Sequence, residues 1–530
     1  MKGGPSAEAA DPASRICLCL TGATLGQDVE LLRRERGYVD LVELQADFLE
    51  PGELAHLARF PALVDVPVIL SLRRAQDGGR WRGGEAHRRR LLRETLGAAG
   101  EGGGRPYAFT EVEHDLADPA LEEAARARGC RLIRSFYDFR GVPADLAARV
   151  RRLARAARPR GGGPRELPKV AVQVRGSRDQ RRLTEAFHEL QGVEKILLGL
   201  GDFGSFSRIL AGKLGSWLTY CSPEGSRGEG RGGGAPDGEG QAPAAAAGQL
   251  DPRTLVQLYR FRQIGPDTAV YGVVGNPIAH SRSPHLHNPG LAALGLDAVY
   301  VPFLADEFPA FLRAAEALGV RGLSVTVPFK QRALQLAGSA EEEARAVGAA
   351  NTLLAEAGRR GRRGWRAANT DVAGFLAPLQ RAAPAVLRPG TAVAVLGAGG
   401  AARAVVYGLS RRGLRVLVLN RTPARARTLA RRFGGQWGGL DPKGIARLPA
   451  HSALIVQSTT VGLDGAGDPL PEYGFQGTEV VYDLVYGPRP TPFLRRAQAA
   501  GCRIIAGEEM LRAQAAAQFR LFTGRDLPQA

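Results

Sequence analysis

Cysteine is scarce in this chain: five among 530 residues (Cys17, Cys19, Cys130, Cys221 and Cys502), odd in number and scattered. That excludes a disulfide framework and suits a reducing compartment. Cys17 and Cys19 alternate with leucine in a predicted strand, without a second pair or neighbouring histidines, so core packing is expected there and no metal. Long apolar runs are lacking too. The stretch TAVAVLGAGGAA (391–402) is short and glycine-rich, so no membrane-spanning helix is expected. Aromatic residues are only 6%, and the arginines are spread along predicted helices rather than gathered in one basic arm. Both features weaken the nucleic-acid reading invited by a net charge of +18. The charge reads as solvated helix faces, with some arginines serving anionic ligands. Neither nucleic acid nor a membrane is expected as a partner. The first residues, MKGGPSAEAADPAS, have no apolar core for a signal peptide, and their acidic residues are unlike a transit peptide.

What is present is ordinary for a globular chain: 44% hydrophobic and 23% charged residues, over a length that needs two to four cores. From residue 15 to about 222, eight strand-like segments alternate with arginine-rich amphipathic helices: RICLCLTG, VDLVELQAD, PVILSLR, YAFTEVEH, RLIRSFYDF, PKVAVQV, EKILLGLG and SWLTYCS. That rhythm predicts an α/β fold beginning with a closed (β/α)8 barrel, whose chemistry sits at strand ends. One residue stands out. Lys169 opens a valine-rich strand where an unpaired lysine is rarely buried. Period-2 alternation puts Lys169, Ala171 and Gln173 on one face and Val170, Val172 and Val174 on the other. The low-complexity stretch 222–248 reads as a flexible loop, and DPRTLVQLYRF (251–261) as a helical lead into a second α/β region.

The strongest local motif in that region is TAVAVLGAGGAARAVVYGLSRRGLRVLVLNRT (391–422). A strand runs into Gly397-x-Gly399-x-x-Ala402, then a helix, then a second strand. This is the frame of a Rossmann dinucleotide site, with the pyrophosphate at the helix N-terminus. Gly397, Ala398, Gly399, Gly400 and Ala401 are the candidate cradle. Where an NAD site places an acidic residue, this chain has Asn420-Arg421-Thr422, followed by Arg425. An arginine there suits a 2′-phosphate, so NADP is the predicted cofactor.

Around this loop come VVGNPIAHSRSPHLHN, GLSVTVPFK, AVGAANTLL and AANTDVAGF upstream, and YDLVYGPRPTPFLRRA and GEEMLRAQAAAQF downstream. Residues 268–530 thereby resemble shikimate dehydrogenase. In the first half DLVELQAD, LSLRRAQDGG, RSFYDFRGVP, LPKVAVQV, LGDFGSFSRI and AAAAGQ resemble type I 3-dehydroquinate dehydratase, and the two together resemble the plant-type bifunctional enzymes. The resemblance implies a TIM barrel followed by a two-domain dehydrogenase, an α/β substrate domain and a Rossmann NADP domain. The expected boundaries are a tail at 1–14, the barrel at 15–250, a linker at 251–267, a shikimate-binding domain at 268–375, the Rossmann domain at 376–500, and C-terminal helices at 501–530 returning to the substrate domain.

Site roles follow from the same resemblance. Lys330 and Asp371 are the catalytic pair of the dehydrogenase: a ketone gaining a hydride needs a proton donor beside its oxygen. Ser281 and Ser283 hold the substrate carboxylate with Tyr486 nearby, and Thr326, Asn351 and Gln514 bind ring hydroxyls. In the barrel Lys169 lands on the imine-forming lysine, where desolvation is expected to lower its pKa. Glu43, Arg73, Asp77, Arg208 and Gln249 fall on substrate-binding positions, Arg208 as the carboxylate clamp.

Several positions depart from the family pattern. Tyr137 stands at the catalytic histidine, Gln45 at an arginine, and Ala245 at a serine in the interrupted 222–248 loop. A phenol is a poor base at neutral pH, so the dehydratase is expected to be impaired, with imine formation surviving and His114 as the one nearby substitute base. In the dehydrogenase Ala367-Ala368 precedes Asn369 where a glycine is usual, and Gln457 and Leu463 replace Asn and Met. The substrates implied are 3-dehydroshikimate and shikimate, with 3-dehydroquinate for the barrel; the protein is expected to be a monomer, in the plastid by resemblance or else in the cytoplasm. A quinate dehydrogenase on the same scaffold is the alternative. A basic RNA-binding or scaffold protein with a dead enzyme fold is the third reading, disfavoured by the Lys330/Asp371 pair.

Overall fold

The structure is a computed structural model, and it describes residues 14–156, 165–223, 248–357, 363–487 and 489–528. Residues 1–13 of the predicted N-terminal tail, Ala245 and nearly all of the 222–248 loop lie outside the described residues. By its contacts the chain divides into two compact units, residues 1–270 with 297–319, and residues 271–296 with 320–530.

The first unit is built on eight parallel strands: β1 (Arg15–Leu20), β2 (Leu41–Gln45), β3 (Val68–Ser71), β4 (Phe109–Glu113), β5 (Arg131–Asp138), β6 (Leu167–Gln173), β7 (Ile196–Leu200) and β8 (Leu218–Cys221). They pair in the order β7-β6-β5-β4-β3-β2-β1-β8. β7 and β8 approach through the Trp217 N–H to the Lys195 carbonyl (2.7 Å) and the Leu197 N–H to Ser216 Oγ (3.2 Å), so the barrel is nearly closed. Alternation along each strand sorts two layers. Cys17, Cys19, Leu41, Ile69, Ile133, Leu167, Ile196 and Leu198 fill the interior, where apolar side chains stack in layers. Ile16, Leu18, Leu20, Val42, Leu44, Val68 and Leu70 meet the helices through Val29, Leu32, Leu92 and Leu96. Lys169 has the interior parity of Leu167, as the alternation predicted.

By its contacts the segment 297–319 falls in the first unit. The Ser177 N–H donates to Asp306 Oδ1 (2.8 Å), and Gln180 Nε2 donates to the Leu304 carbonyl (3.0 Å). The helix Ser177–Glu189 thus finds the strand Ala298–Leu304 and helix Phe308–Ala317 as neighbours.

In the second unit Val320–Val325, Thr352–Ala357 and Arg363–Ala368 form an antiparallel run that ends in the short parallel strand Ser339–Ala340. A separate sheet has six parallel strands in the spatial order Gln436–Gly439, Arg415–Asn420, Ala392–Leu396, Leu454–Gln457, Val480–Asp483, Arg503–Ile505. Its central strand is buried on both faces, and so reads as an unbroken apolar run. Val393 and Val395 join the helices Asp371–Ala382 and Gly400–Ser410 on one side, while Ala394 and Leu396 join Leu448 and Phe493 on the other. The order reverses beside Ala392–Leu396, which opens the crevice where doubly wound folds bind ligands. Residues 501–530 hold one strand and one helix, Gly507–Thr523, not helices alone: Arg503–Ile505 is the sheet's sixth strand, because Val480–Asp483 leaves a free parallel edge.

Candidate active sites

The second unit contains a cavity of about 680 Å³ between its two sheets. It is lined by Ser281, Ser283, Thr326, Lys330, Asp371, Tyr486 and Gln514, residues drawn from five separate stretches of sequence, and by Ala401 from the glycine-rich turn. Lys330 is the first residue of the helix Lys330–Leu336 and Asp371 the first of Asp371–Ala382. Lys330 Nζ donates to Asp371 Oδ2 at 2.6 Å. The carboxylate is fixed from behind, since Asn351 Nδ2 donates to its Oδ1 (2.8 Å). The same amide reaches Thr370 Oγ1 (2.9 Å) and Gln514 Oε1 (3.0 Å), so Asn351 lies behind the cavity wall and orients its neighbours. The Lys330 carbonyl accepts from the Ala350 N–H at 2.8 Å, tying the lysine to this frame.

Sequence reasoning missed two residues here. Ser324 Oγ donates to Gln518 Oε1 (2.7 Å), and Gln518 Nε2 donates to the Asn351 carbonyl (3.0 Å) and Thr352 Oγ1 (3.1 Å). Both line the cavity. The available signal was spacing: Gln518 follows Gln514 by one helical turn, on the same face. Tyr486 is pushed above its ordinary pKa by burial, with Arg282 pulling the other way. Gln457 is fully buried and braces the following turn: its Nε2 donates to the Val461 carbonyl (3.0 Å), and its Oε1 accepts from the Thr459 N–H (2.7 Å). Leu463 stays half exposed at the cavity rim, and Ala367 and Ala368 are buried.

The dinucleotide turn shows three different reasons for glycine. Gly397 has φ +110°, and a Cβ there would strike Ser458 Oγ at 2.7 Å, so the chain itself requires glycine. Gly399 has φ −84°, and a Cβ would meet nothing within 4 Å. Among the described residues nothing demands glycine at 399, and the space before the helix N-terminus fits an approaching pyrophosphate. At Gly400 a Cβ would meet Lys330. Ala398 precedes Gly399, and Ala402 is fully buried against the sheet. Arg421 and Arg425 are exposed, and among the described residues neither has an ion-pair partner. Asn420 Nδ2 donates to the Thr422 carbonyl (2.9 Å), shaping the turn that carries them.

The barrel site is a compact charge cluster. Lys169 Nζ donates to Glu111 Oε2 (2.6 Å) and Glu43 Oε1 (3.1 Å), and all three side chains are buried. Arg73 lies 3.4 Å from Glu43 and 3.5 Å from Glu111. Gln45 Nε2 donates to Glu43 Oε2 (2.7 Å), and Tyr137 Oη donates to Glu111 Oε1 (2.7 Å). Glu111 was missed in the sequence, although it sits in a strand interior as conspicuously as Lys169.

This pairing reverses one expectation. Desolvation does push the Lys169 pKa down, but Glu111 and Glu43 outweigh it, and the amine is held well above its usual pKa. Glu111 is moved the other way: burial raises it, Lys169 and Arg73 lower it further, and its carboxylate ends well below the ordinary range. Burial raises the Tyr137 phenol. His114 is not a substitute base in this arrangement. It is exposed and packs edge-on to Phe136 (5.1 Å), whose strand parity is that of Val170 and opposite to Lys169. Asp77 pairs with Arg74 at 2.6 Å rather than joining the cluster. Arg208 is buried, its Nε and Nη1 without partners among the described residues, and burial pulls it down to about 10. Gln249 is buried nearby, its Nε2 3.7 Å from Cys19 Sγ.

Fold and sites together define a class: a (β/α)8 barrel with a buried lysine at its centre, followed by a Rossmann-type oxidoreductase with its own substrate sheet. The type I 3-dehydroquinase family matches residues 16–266, the shikimate dehydrogenase substrate-binding domain residues 273–353, and the shikimate/quinate 5-dehydrogenase family residues 386–460. The chain is 29% identical over 508 residues to the chloroplastic bifunctional 3-dehydroquinate dehydratase/shikimate dehydrogenase of Arabidopsis thaliana, covering 92% of this chain and 78% of that protein. It is 42% identical over 270 residues to the NADP(+) shikimate dehydrogenase of Anaeromyxobacter dehalogenans, covering 50% of this chain and 94% of that one. The crystal structure of the Thermus thermophilus shikimate 5-dehydrogenase with NADP(H) and shikimate is 38% identical, covers 49% of this chain and 95% of its own, and superposes with a TM-score of 0.43. In its second half the chain belongs to the shikimate dehydrogenase family, preceded by a type I 3-dehydroquinase domain.

Proposed function

We propose that the second unit reduces 3-dehydroshikimate to shikimate with NADPH, and that the barrel is an impaired dehydratase. The observation that carries the first part is the Lys330–Asp371 pair at 2.6 Å in a cavity lined by Ser281, Ser283, Thr326, Tyr486 and Gln514. NADPH, when bound, supplies the hydride. Gly397 to Ala401 would hold its pyrophosphate at the helix N-terminus, and Arg421 with Asn420 and Thr422 would take the 2′-phosphate. Lys330 presents its ammonium to the ketone oxygen and protonates it as charge develops. Asp371 holds Lys330 in place and accepts a ring hydroxyl, while Gln514 and Thr326 satisfy others. A polyhydroxylated ring is selected this way because unpaired buried polar groups are costly. Ser281 and Ser283 offer hydroxyls to the carboxylate. Ser283 and Thr326 favour shikimate over the quinate alternative.

For the barrel, Arg208 would clamp a carboxylate, and the buried guanidinium gains the counter-charge it lacks. Arg73, Glu43 and Gln249 would hold the ring hydroxyls. Lys169 would form the imine, but only after losing a proton that Glu111 and Glu43 retain on it. The elimination then needs a base. Tyr137 is a phenol raised by burial and Glu111 a carboxylate of low basicity, so neither serves.

The partners are these small molecules, the chain acts as a monomer, and the plastid is its compartment by likeness to the chloroplastic Arabidopsis protein. Among the described residues no helix is long and apolar enough to cross a membrane. The deciding experiment supplies purified protein with 3-dehydroshikimate and NADPH, then with quinate and either oxidised cofactor. Loss of NADPH absorbance in the first mixture supports the proposal, and activity only in the second sinks it in favour of the quinate reading.

A further inference from the structure

We infer that Gly400 is a positioning residue for Lys330, so that the turn assigned to the cofactor also sets where the proton donor stands. Gly400 is the first residue of the helix Gly400–Ser410, with Gly399 at its N-cap. A Cβ built on Gly400 would lie 3.2 Å from Lys330 Cδ, 3.3 Å from its Cβ and 3.6 Å from its Cγ. Among the described residues these are the three nearest atoms, and all belong to Lys330. The aliphatic stem of Lys330 therefore lies flat on the bare backbone of the helix's first turn.

The lysine has little room to yield. Its amine is held by Asp371 at 2.6 Å, and its carbonyl by the Ala350 N–H at 2.8 Å. Two of the three close atoms, Cγ and Cδ, lie in the middle of the stem, but the third is Cβ, which moves only with the main chain. A methyl at 400 must therefore swing the stem, tilt the helix or shift the turn before Lys330. Each of these changes the separation between the lysine amine and whatever the helix N-terminus holds. Gly399 makes the contrast: with open space around it, its lack of a side chain matters to a ligand and not to Lys330. Two adjacent glycines thus do separate work. One admits the cofactor, and the other seats the proton donor against the same helix.

The inference rests on Lys330 acting as proposed above, and the test separates the two. Gly400→Ala and Gly399→Ala are compared in turnover and in NADPH affinity, the latter by fluorescence titration without substrate. Gly400→Ala should lower kcat by ~10–100-fold, since small misplacements of a catalytic group are costly. Gly400 also belongs to the pyrophosphate cradle, so turnover is compared at saturating NADPH: the loss in kcat should exceed any loss in NADPH affinity, and the deuterium isotope effect with 4-deuterated NADPH should rise as the chemical step slows. Gly399→Ala should instead weaken NADPH binding. A double-mutant cycle adds Lys330→Ala, which removes Cγ and Cδ. The thermal destabilisation caused by Gly400→Ala should shrink in the Lys330→Ala background, a readout that needs no activity. Should Gly400→Ala fail to fold alone yet fold with Lys330→Ala, the steric coupling stands. Equal losses of thermal stability in both backgrounds would overturn the inference, as would unchanged kcat in Gly400→Ala. An unmutated protein that reduces nothing would sink the functional reading alone, and the thermal cycle would still decide on Gly400.

Discussion

Lysine appears twice in this chain at a chemical centre, and its neighbours give it opposite consequences. Lys330 faces one carboxylate at a cavity wall, while Lys169 is enclosed by two. Lys330→Ala and Asp371→Ala should each lower kcat for 3-dehydroshikimate by ~10²–10⁴-fold with smaller changes in KM, the range for a lost general acid. Near-normal turnover in either variant, measured by steady-state kinetics, removes that residue from the mechanism. Arg421→Asp should narrow or reverse the preference for NADPH over NADH, read as the ratio of the two kcat/KM values, because a carboxylate there repels a 2′-phosphate. In the barrel, borohydride in the presence of 3-dehydroquinate should trap little covalent adduct at neutral pH and more as pH rises and Lys169 deprotonates. Glu111→Gln should increase trapping, and Lys169→Ala should abolish it, both followed by intact mass. Tyr137→His should restore some dehydration but not a full rate. Brisk dehydration by the unmutated protein is the result that discards the impaired-barrel reading.

Single elements were legible where the local pattern itself carried the information. The parity of β6 put Lys169 inside from its sequence alone, and the strand-turn-helix frame of 391–420 declared itself because glycines and apolar runs are local signals. The strand Arg503–Ile505 was not legible: three residues make no period, and only the open edge of Val480–Asp483 makes them a strand. A pH test belongs at this same edge. Asp483 is fully buried, accepts from Thr491 Oγ1 (2.6 Å) and the Val485 N–H (2.9 Å), and is pushed up by burial to about 6 from 3.8. A carboxyl whose folded pKa is raised stabilises fully below its unfolded pKa, and that contribution is lost as pH rises through the folded value. Its contribution should therefore decline between about pH 4 and 6, by on the order of 3 kcal/mol over the full shift. Asp483→Asn should flatten that part of the Tm-against-pH curve and hold or raise Tm at pH 7. An unchanged slope would show that other groups set it.

For the whole molecule, the two matched families predict two consecutive activities, and the residues predict that only the later one is brisk. Given 3-dehydroquinate and NADPH, the protein should oxidise cofactor slowly; given 3-dehydroshikimate, quickly. Adding an independent dehydratase to the first mixture should bring its rate up to the second. Equal rates without that addition would mean the barrel is fully active. The sequence by itself determined the order of folds and the dinucleotide turn, because each is written in residue type and spacing along one stretch. It also exposed Lys169 through strand parity. What only the tertiary structure decided was how distant residues meet. Glu111 reaches Lys169 across 58 positions and reverses the direction of its pKa shift. Asn351 turns out to sit behind Asp371 rather than in the cavity, and Gly400 against Lys330 rather than against a ligand alone. The physical reason is range: periodicity reports which face a residue occupies, whereas charge pairing and steric contact act over a few ångströms between segments whose separation in sequence carries no such information.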